Sequence, residues 1–182
     1  THAGDLTVFE WTHGPVELVH VDIMKTWSLA NAVLRLFFQE LIPGVSIVLH
    51  QDFVHYNTVW IHLLMYRFKD HFEPIGQVPG TTTVEFRLKT DIPKHLLTHA
   101  YGFSDFDEVE RKAAFAYSRS LVADEFMRFN IDAAEAMTPV HMGHLDEARV
   151  LLDAALSREA AFKKEHPQER RRSELVKVQE RL

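Results

Sequence analysis

Apolar positions follow two different periods in the first half of the chain and one in the second. Residues 16–22, Val-Glu-Leu-Val-His-Val-Asp, form a short Val-rich run that closes on an acid, the pattern of a strand. Leu29, Val33, Leu36, Phe37 and Leu41 then recur at helical spacing, which predicts a helix over 28–41 with Ser28 as its N-cap and Pro43-Gly44 as its stop. Residues 45–51, Val-Ser-Ile-Val-Leu-His-Gln, read as a second strand, and Asp52 follows it. Strand, helix and strand of this length suit a βαβ crossover with parallel strands. A helix over 58–70 comes next, then two strand-like runs, 72–78 and 82–88, joined by Pro79-Gly80. That hairpin signal predicts a sheet that ends in an antiparallel pair.

After about residue 90 the pattern becomes helical throughout. One amphipathic helix is expected over 104–137, opening with Ser104, Asp105, Asp107 and Glu108, and another over 144–164. The tail after Pro167 is charged throughout, Arg170-Arg171-Arg172 included, with Glu169, Glu174 and Glu180 interleaved along it, and reads as a solvated or frayed helix. The expected organisation is therefore an α/β unit over 1–92, with parallel strands ending in an antiparallel hairpin, and a helical extension over 93–182. Gly143-His144-Leu145 with Asp146-Glu147-Ala148 has the look of one tetratricopeptide helix, but a single unit makes no array.

Composition narrows the function classes. The chain has 182 residues, 46% of them hydrophobic, with thirteen Phe and three Trp, enough to bury a core. It has no cysteine, which excludes disulfides and thiolate metal sites and fits a cytoplasmic protein. No apolar run reaches the roughly 18 residues of a membrane span, and no secretory leader is visible. The chain starts at Thr1, which suggests a processed chain or a fragment. A net charge of −6 argues against nucleic-acid binding.

The chemistry concentrates at two acidic strand ends. In an open α/β sheet ligands bind beyond the carboxyl ends of the strands. Asp22 and Asp52 occupy such ends on strands expected to be neighbours, with Lys25 three residues after the first acid and His50, Gln51 and His55 flanking the second. Two carboxylates there can hold a divalent cation through hard oxygen ligands, or they can simply cap the helices that follow. His20 reads as a packed strand residue, His62 as part of a helix lying on the sheet, and His141 and His144 as loop residues without a metal-binding companion. The stretch from Tyr56 to Trp60 is placed to wall a pocket beside Asp52.

The run Val21-Asp22-Ile23-Met24-Lys25-Thr26-Trp27 resembles the acid-x-x-Lys-x-x-aromatic segment of catechol- and caffeoyl-CoA-type O-methyltransferases, which are class I S-adenosylmethionine-dependent enzymes. Gln51-Asp52-Phe53 falls where that family has its second metal acid, and Gly4-Asp5-Leu6 resembles a loop bordering the cofactor's adenine. The terminal hairpin is similar to the one that carries the antiparallel seventh strand of class I methyltransferases. The resemblance spans residues 3–90 and is closer still to bacterial methyltransferase-like proteins with a His-Gln-Asp strand end. It implies a Rossmann-like sheet, S-adenosylmethionine as cofactor, and a divalent metal such as Mg²⁺ on Asp22 and Asp52. It also implies Lys25 as general base, Asp5, Ile23 and Met24 near the adenosine, and methyl transfer to the hydroxyl of a small molecule or sugar. Two features depart from the family. Phe53 stands where Asn is usual, which leaves His50 or His55 to complete the metal site, or to serve as the base of a metal-free one. With only seven Gly and no Gly-x-Gly, the sequence also lacks the family's cofactor turn and reads as the second half of the domain.

Three functions compete on these grounds. One is a methyltransferase acting on a small-molecule hydroxyl. Another is a non-catalytic remnant that serves as an interaction or oligomerisation module. The third is a metal-dependent hydrolase using Asp22, Asp52 and His55. A half-sheet would expose the apolar edge from Val16 to Val21, so homo-oligomerisation or pairing through that edge is expected.

Overall fold

A computed structural model of the chain describes residues 4–182. Strand β1 (Leu18–Val21), helix α1 (Trp27–Leu36) and strand β2 (Ile47–His50) form the expected crossover, with β1 and β2 parallel in the register Leu18↔Ile47 to Val21↔His50. Helix α2 (Val59–Arg67) leads to β3 (Phe72–Gln77) and β4 (Val84–Leu88). The sheet is open and mixed, in the order β1-β2-β4-β3, and β4 runs antiparallel to both of its neighbours. Pro74 lies in β3, where its missing N–H is tolerated because β3 is an edge strand, and the ladder shifts register between Pro74 and Gly76.

Register places side chains in rows. Val19, Val48 and Phe86 share one row and Val21, His50 and Val84 the next, and all six are buried. The alternate rows, Leu18, Ile47 and Arg87 and then His20, Leu49 and Glu85, are exposed or half-buried. Leu18 is 61% exposed and Val45, just ahead of β2, is 50% exposed. The core therefore lies on one face of the sheet. The opposite face is bare among the described residues, and no described strand pairs with the outer side of β1.

Helix α1 begins earlier than expected. Thr26, not Ser28, is its N-cap and accepts from the Leu29 N–H at 3.2 Å; the helix ends at Leu36, and a 3-10 turn over Phe38–Glu40 completes the segment. Helix α2 buries every residue from Val59 to Met65, so it has little amphipathic contrast, as a helix packed on both sides must. Helices of the second half and α1 pack against it.

That second half holds α3 (Lys94–Leu97), α4 (Glu108–Ser120), α5 (Glu125–Met142), α6 (Leu145–Glu165) and α7 (Leu175–Gln179). The single helix expected over 104–137 is thus two. Asp107 caps α4 by accepting from Glu110 N, and Asp124 caps α5 by accepting from the N–H groups of Phe126 and Met127. Helix α5 runs through Pro139 and ends at Gly143, whose φ of 80° suits a left-handed C-cap that a side chain would strain. The charged tail is not frayed either. Leu175 and Val178 are fully buried, and α7 packs on α5 and α6. One apolar cluster runs continuously from Val19 in the sheet to Val178 in α7. No helix among the described residues is long and apolar enough to cross a membrane.

Candidate functional site

The parallel pairing brings the two acidic strand ends together. Gln51 N donates to Val21 O at 3.0 Å, so the chain leaves β1 and β2 side by side. Lys25 reaches between the acids, with its Nζ 2.9 Å from Asp52 Oδ2 and 3.7 Å from Asp22 Oδ1. A tight turn, Lys25 N to Ile23 O at 2.7 Å, aims it there just before Thr26 starts α1. Asp52 is held by its own turn, its carbonyl accepting from Thr58 Oγ1 at 2.7 Å and His55 N at 3.1 Å.

The hydrogen bond to Asp52, aided by the charges of both acids, raises the Lys25 ammonium above its ordinary pKa, although burial opposes this. A general base needs the free amine near neutral pH, so in this arrangement Lys25 acts as a cation. It stands between two carboxylates where the family resemblance implies a metal. Among the described residues, no group of three or more His, Cys, Asp or Glu side chains converges to hold a metal ion. Phe53 cannot add a ligand. Its ring is fully buried, 4.9 Å from that of His62 and 5.7 Å from that of Phe86.

The two expected histidines part company. His50 is fully buried beneath the sheet, between Phe38 and Phe86, and neither of its ring nitrogens has a hydrogen-bond partner among the described residues. Burial pushes its imidazole down to about 3, so it is neutral and has no surface at the mouth of the site. His55 stays partly exposed. Its Nδ1 accepts from Asn57 N at 3.2 Å, which puts the proton of the neutral ring on Nε2, 3.8 Å from Glu174 Oε1.

The three residues expected near adenosine differ in their surroundings. Ile23 is 40% exposed in the turn between Asp22 and Lys25, whereas Met24 is buried at 2%. Asp5 caps a 3-10 turn over Leu6–Val8 that packs on α1, and its carboxylate accepts from Thr7 N at 2.9 Å and Thr7 Oγ1 at 2.7 Å. These bonds hold it below the usual carboxylate range.

Two residues from the helical half join this region unannounced by any local sequence signal. Glu174 accepts from Tyr56 N at 2.7 Å, so the tail fastens the loop that follows Asp52. His141, on the last turn of α5, bonds Asn57 Oδ1 at 3.0 Å and lies against Trp60 and Phe103. Phe103 in turn contacts Trp27, two residues after Lys25. No family model, curated protein or solved structure matches the chain.

Proposed function

We propose that this chain is the second half of a class I S-adenosylmethionine-dependent O-methyltransferase domain with a helical extension, acting on a small-molecule or sugar hydroxyl at the Asp22–Lys25–Asp52 cluster. The observation that carries the reading is the position of two carboxylates at the carboxyl ends of adjacent parallel strands, with an ammonium between them. The antiparallel β4 and the bare sheet face agree with it. Parallel strands are ordinarily covered on both faces, so a sheet covered on one face suits half of a layered domain.

The residues divide the work as follows. Asp52, the less exposed acid, accepts the hydrogen bond of an incoming hydroxyl, orients its oxygen and takes its proton as the sulfonium S–C bond breaks and the methyl moves to that oxygen. Lys25 stabilises negative charge growing on that oxygen. Asp22, half exposed, completes a hard-oxygen pair that suits Mg²⁺, which keeps several waters and needs only one or two carboxylates. Lys25 must swing aside for such an ion to sit between the acids. S-adenosylmethionine supplies an electrophilic methyl group when bound. This sequence has no glycine-rich turn to grip its methionine and ribose moieties, so that part of the cofactor site must come from other polypeptide.

A second reading, an interaction module without turnover, is favoured by the same bare face and by the open β1 edge. Calorimetry separates the two. The methyltransferase reading expects Mg²⁺ binding that is lost in Asp22→Asn and Asp52→Asn. It also expects S-adenosylmethionine binding once a glycine-rich first strand is supplied by natural upstream sequence or by a partner chain. If the cofactor binds to neither form, the module reading stands and the enzyme reading falls.

A further inference from the structure

Away from the strand ends, α4 and α6 flank α5 and leave a groove above it of about 580 Å³. That volume lies in the range of small-molecule sites. Two acids from α5 form its bed. Asp132, only 5% exposed, accepts from Arg119 Nη1 at 2.9 Å and from Arg158 Nη2 at 2.8 Å. Glu135 Oε2, also largely buried, accepts from the same Arg119 nitrogen at 2.6 Å. A third guanidinium, Arg128, is fixed by Val122 O at 3.0 Å and Glu125 at 2.9 Å.

Charge in the groove is layered. The bed acids Asp132 and Glu135 have side chains 5% and 16% exposed, while Arg119, Arg128 and Arg158 are 28%, 39% and 55% exposed and Lys112 is 64% exposed. Glu125, 42% exposed and paired with Arg128, also lines the groove; over the two bed acids an approaching ligand meets Arg119 and Arg158 first. Burial raises the Glu135 carboxyl pKa, and the Arg119 guanidinium opposes that rise. Each guanidinium has five N–H donors, and the bonds above use only part of each fork. The used part fixes the side chain, so little rotamer freedom remains to be lost on binding. Ala116 and Ala154 keep the walls low.

We propose that this groove binds a small multivalent oxyanion, a phosphate- or carboxylate-bearing metabolite, through the free donors of Arg119, Arg128 and Arg158. The site is separate from the strand-end cluster and does not depend on the methyl-transfer reading. The test titrates the full chain with inorganic phosphate in one arm and citrate in another, at constant ionic strength, with chloride as the reference. Calorimetry and the arginine Nε NMR signals report binding. Saturable binding in either arm is expected, weakened roughly fivefold or more by Arg128→Gln and by Arg158→Gln and unchanged by Arg171→Gln. The arm that saturates at lower concentration assigns the oxyanion. Arg158 partners a buried acid, so if its variant unfolds by circular dichroism, Arg128→Gln alone decides. A response that only follows ionic strength, matches chloride, or survives Arg128→Gln overturns the proposal.

Discussion

Acid should destabilise this protein through two histidines that never meet water. His50 and His62 are both fully buried, and burial, the leading cause for each, pushes both imidazoles down to about 3 from an ordinary 6.5. The folded state thus prefers the neutral ring. The stability this preference provides is complete above about pH 6.5, declines as pH falls, and is lost below about 3. At pH 5 an unfolded histidine is almost wholly protonated and a buried one is not, which costs about 2 kcal/mol per ring. The two together cost about 4 kcal/mol, a large share of a typical domain's 5–15 kcal/mol. Replacing His50 by Leu keeps an apolar side chain between Phe38 and Phe86 and removes one titration. Urea unfolding of both proteins at pH 7 and pH 5 isolates the effect, because the carboxylate contributions cancel between them. The wild type should lose about 2 kcal/mol more than His50→Leu over that interval. Equal losses would refute the argument that desolvation governs the pH response of this core.

Other outcomes follow from the same geometry. Lys25→Met removes the ammonium from between Asp22 and Asp52, so Mg²⁺ binding measured by calorimetry should tighten several-fold; weaker binding would show that Lys25 helps rather than competes. Glu174→Ala takes away the acceptor for Tyr56 N and should speed hydrogen exchange at that amide, with a stability loss of about 1–3 kcal/mol. Leu175→Ala empties a fully buried position under α7 and should cost about 2–4 kcal/mol in denaturant melts, whereas a frayed tail would lose almost nothing.

The strand ends were legible because short Val-rich runs closing on an acid leave few alternatives, and parallel pairing then puts Asp22 beside Asp52. Helix boundaries were less so. Nothing between Ser104 and Met137 breaks the helical period with Gly or Pro, yet the chain turns at Leu121–Asp124 because Asp124 can cap a new helix and Phe126 and Phe129 can then face the core. The tail misled for the opposite reason. Its two buried apolar anchors, Leu175 and Val178, are outnumbered by charged residues, most of them exposed. His50 shows why position in a motif is not position in a site. In β2 its side chain falls in the same row as Val21 and Val84, which the pleat turns inward, away from the mouth where Asp52 lies. Glu174 could not be anticipated at all, since it acts on a loop far away in sequence.

That distance has a consequence in time. Tyr56 and Glu174 are 118 residues apart, so the loop after Asp52 leaves the ribosome well before the side chain that fastens it. At ordinary synthesis rates the interval is about 6–24 s, far longer than a sheet of this size needs to pair. For that interval the loop after Asp52 lacks the acceptor for Tyr56 N, which is supplied only when the residue ahead of α7 arrives.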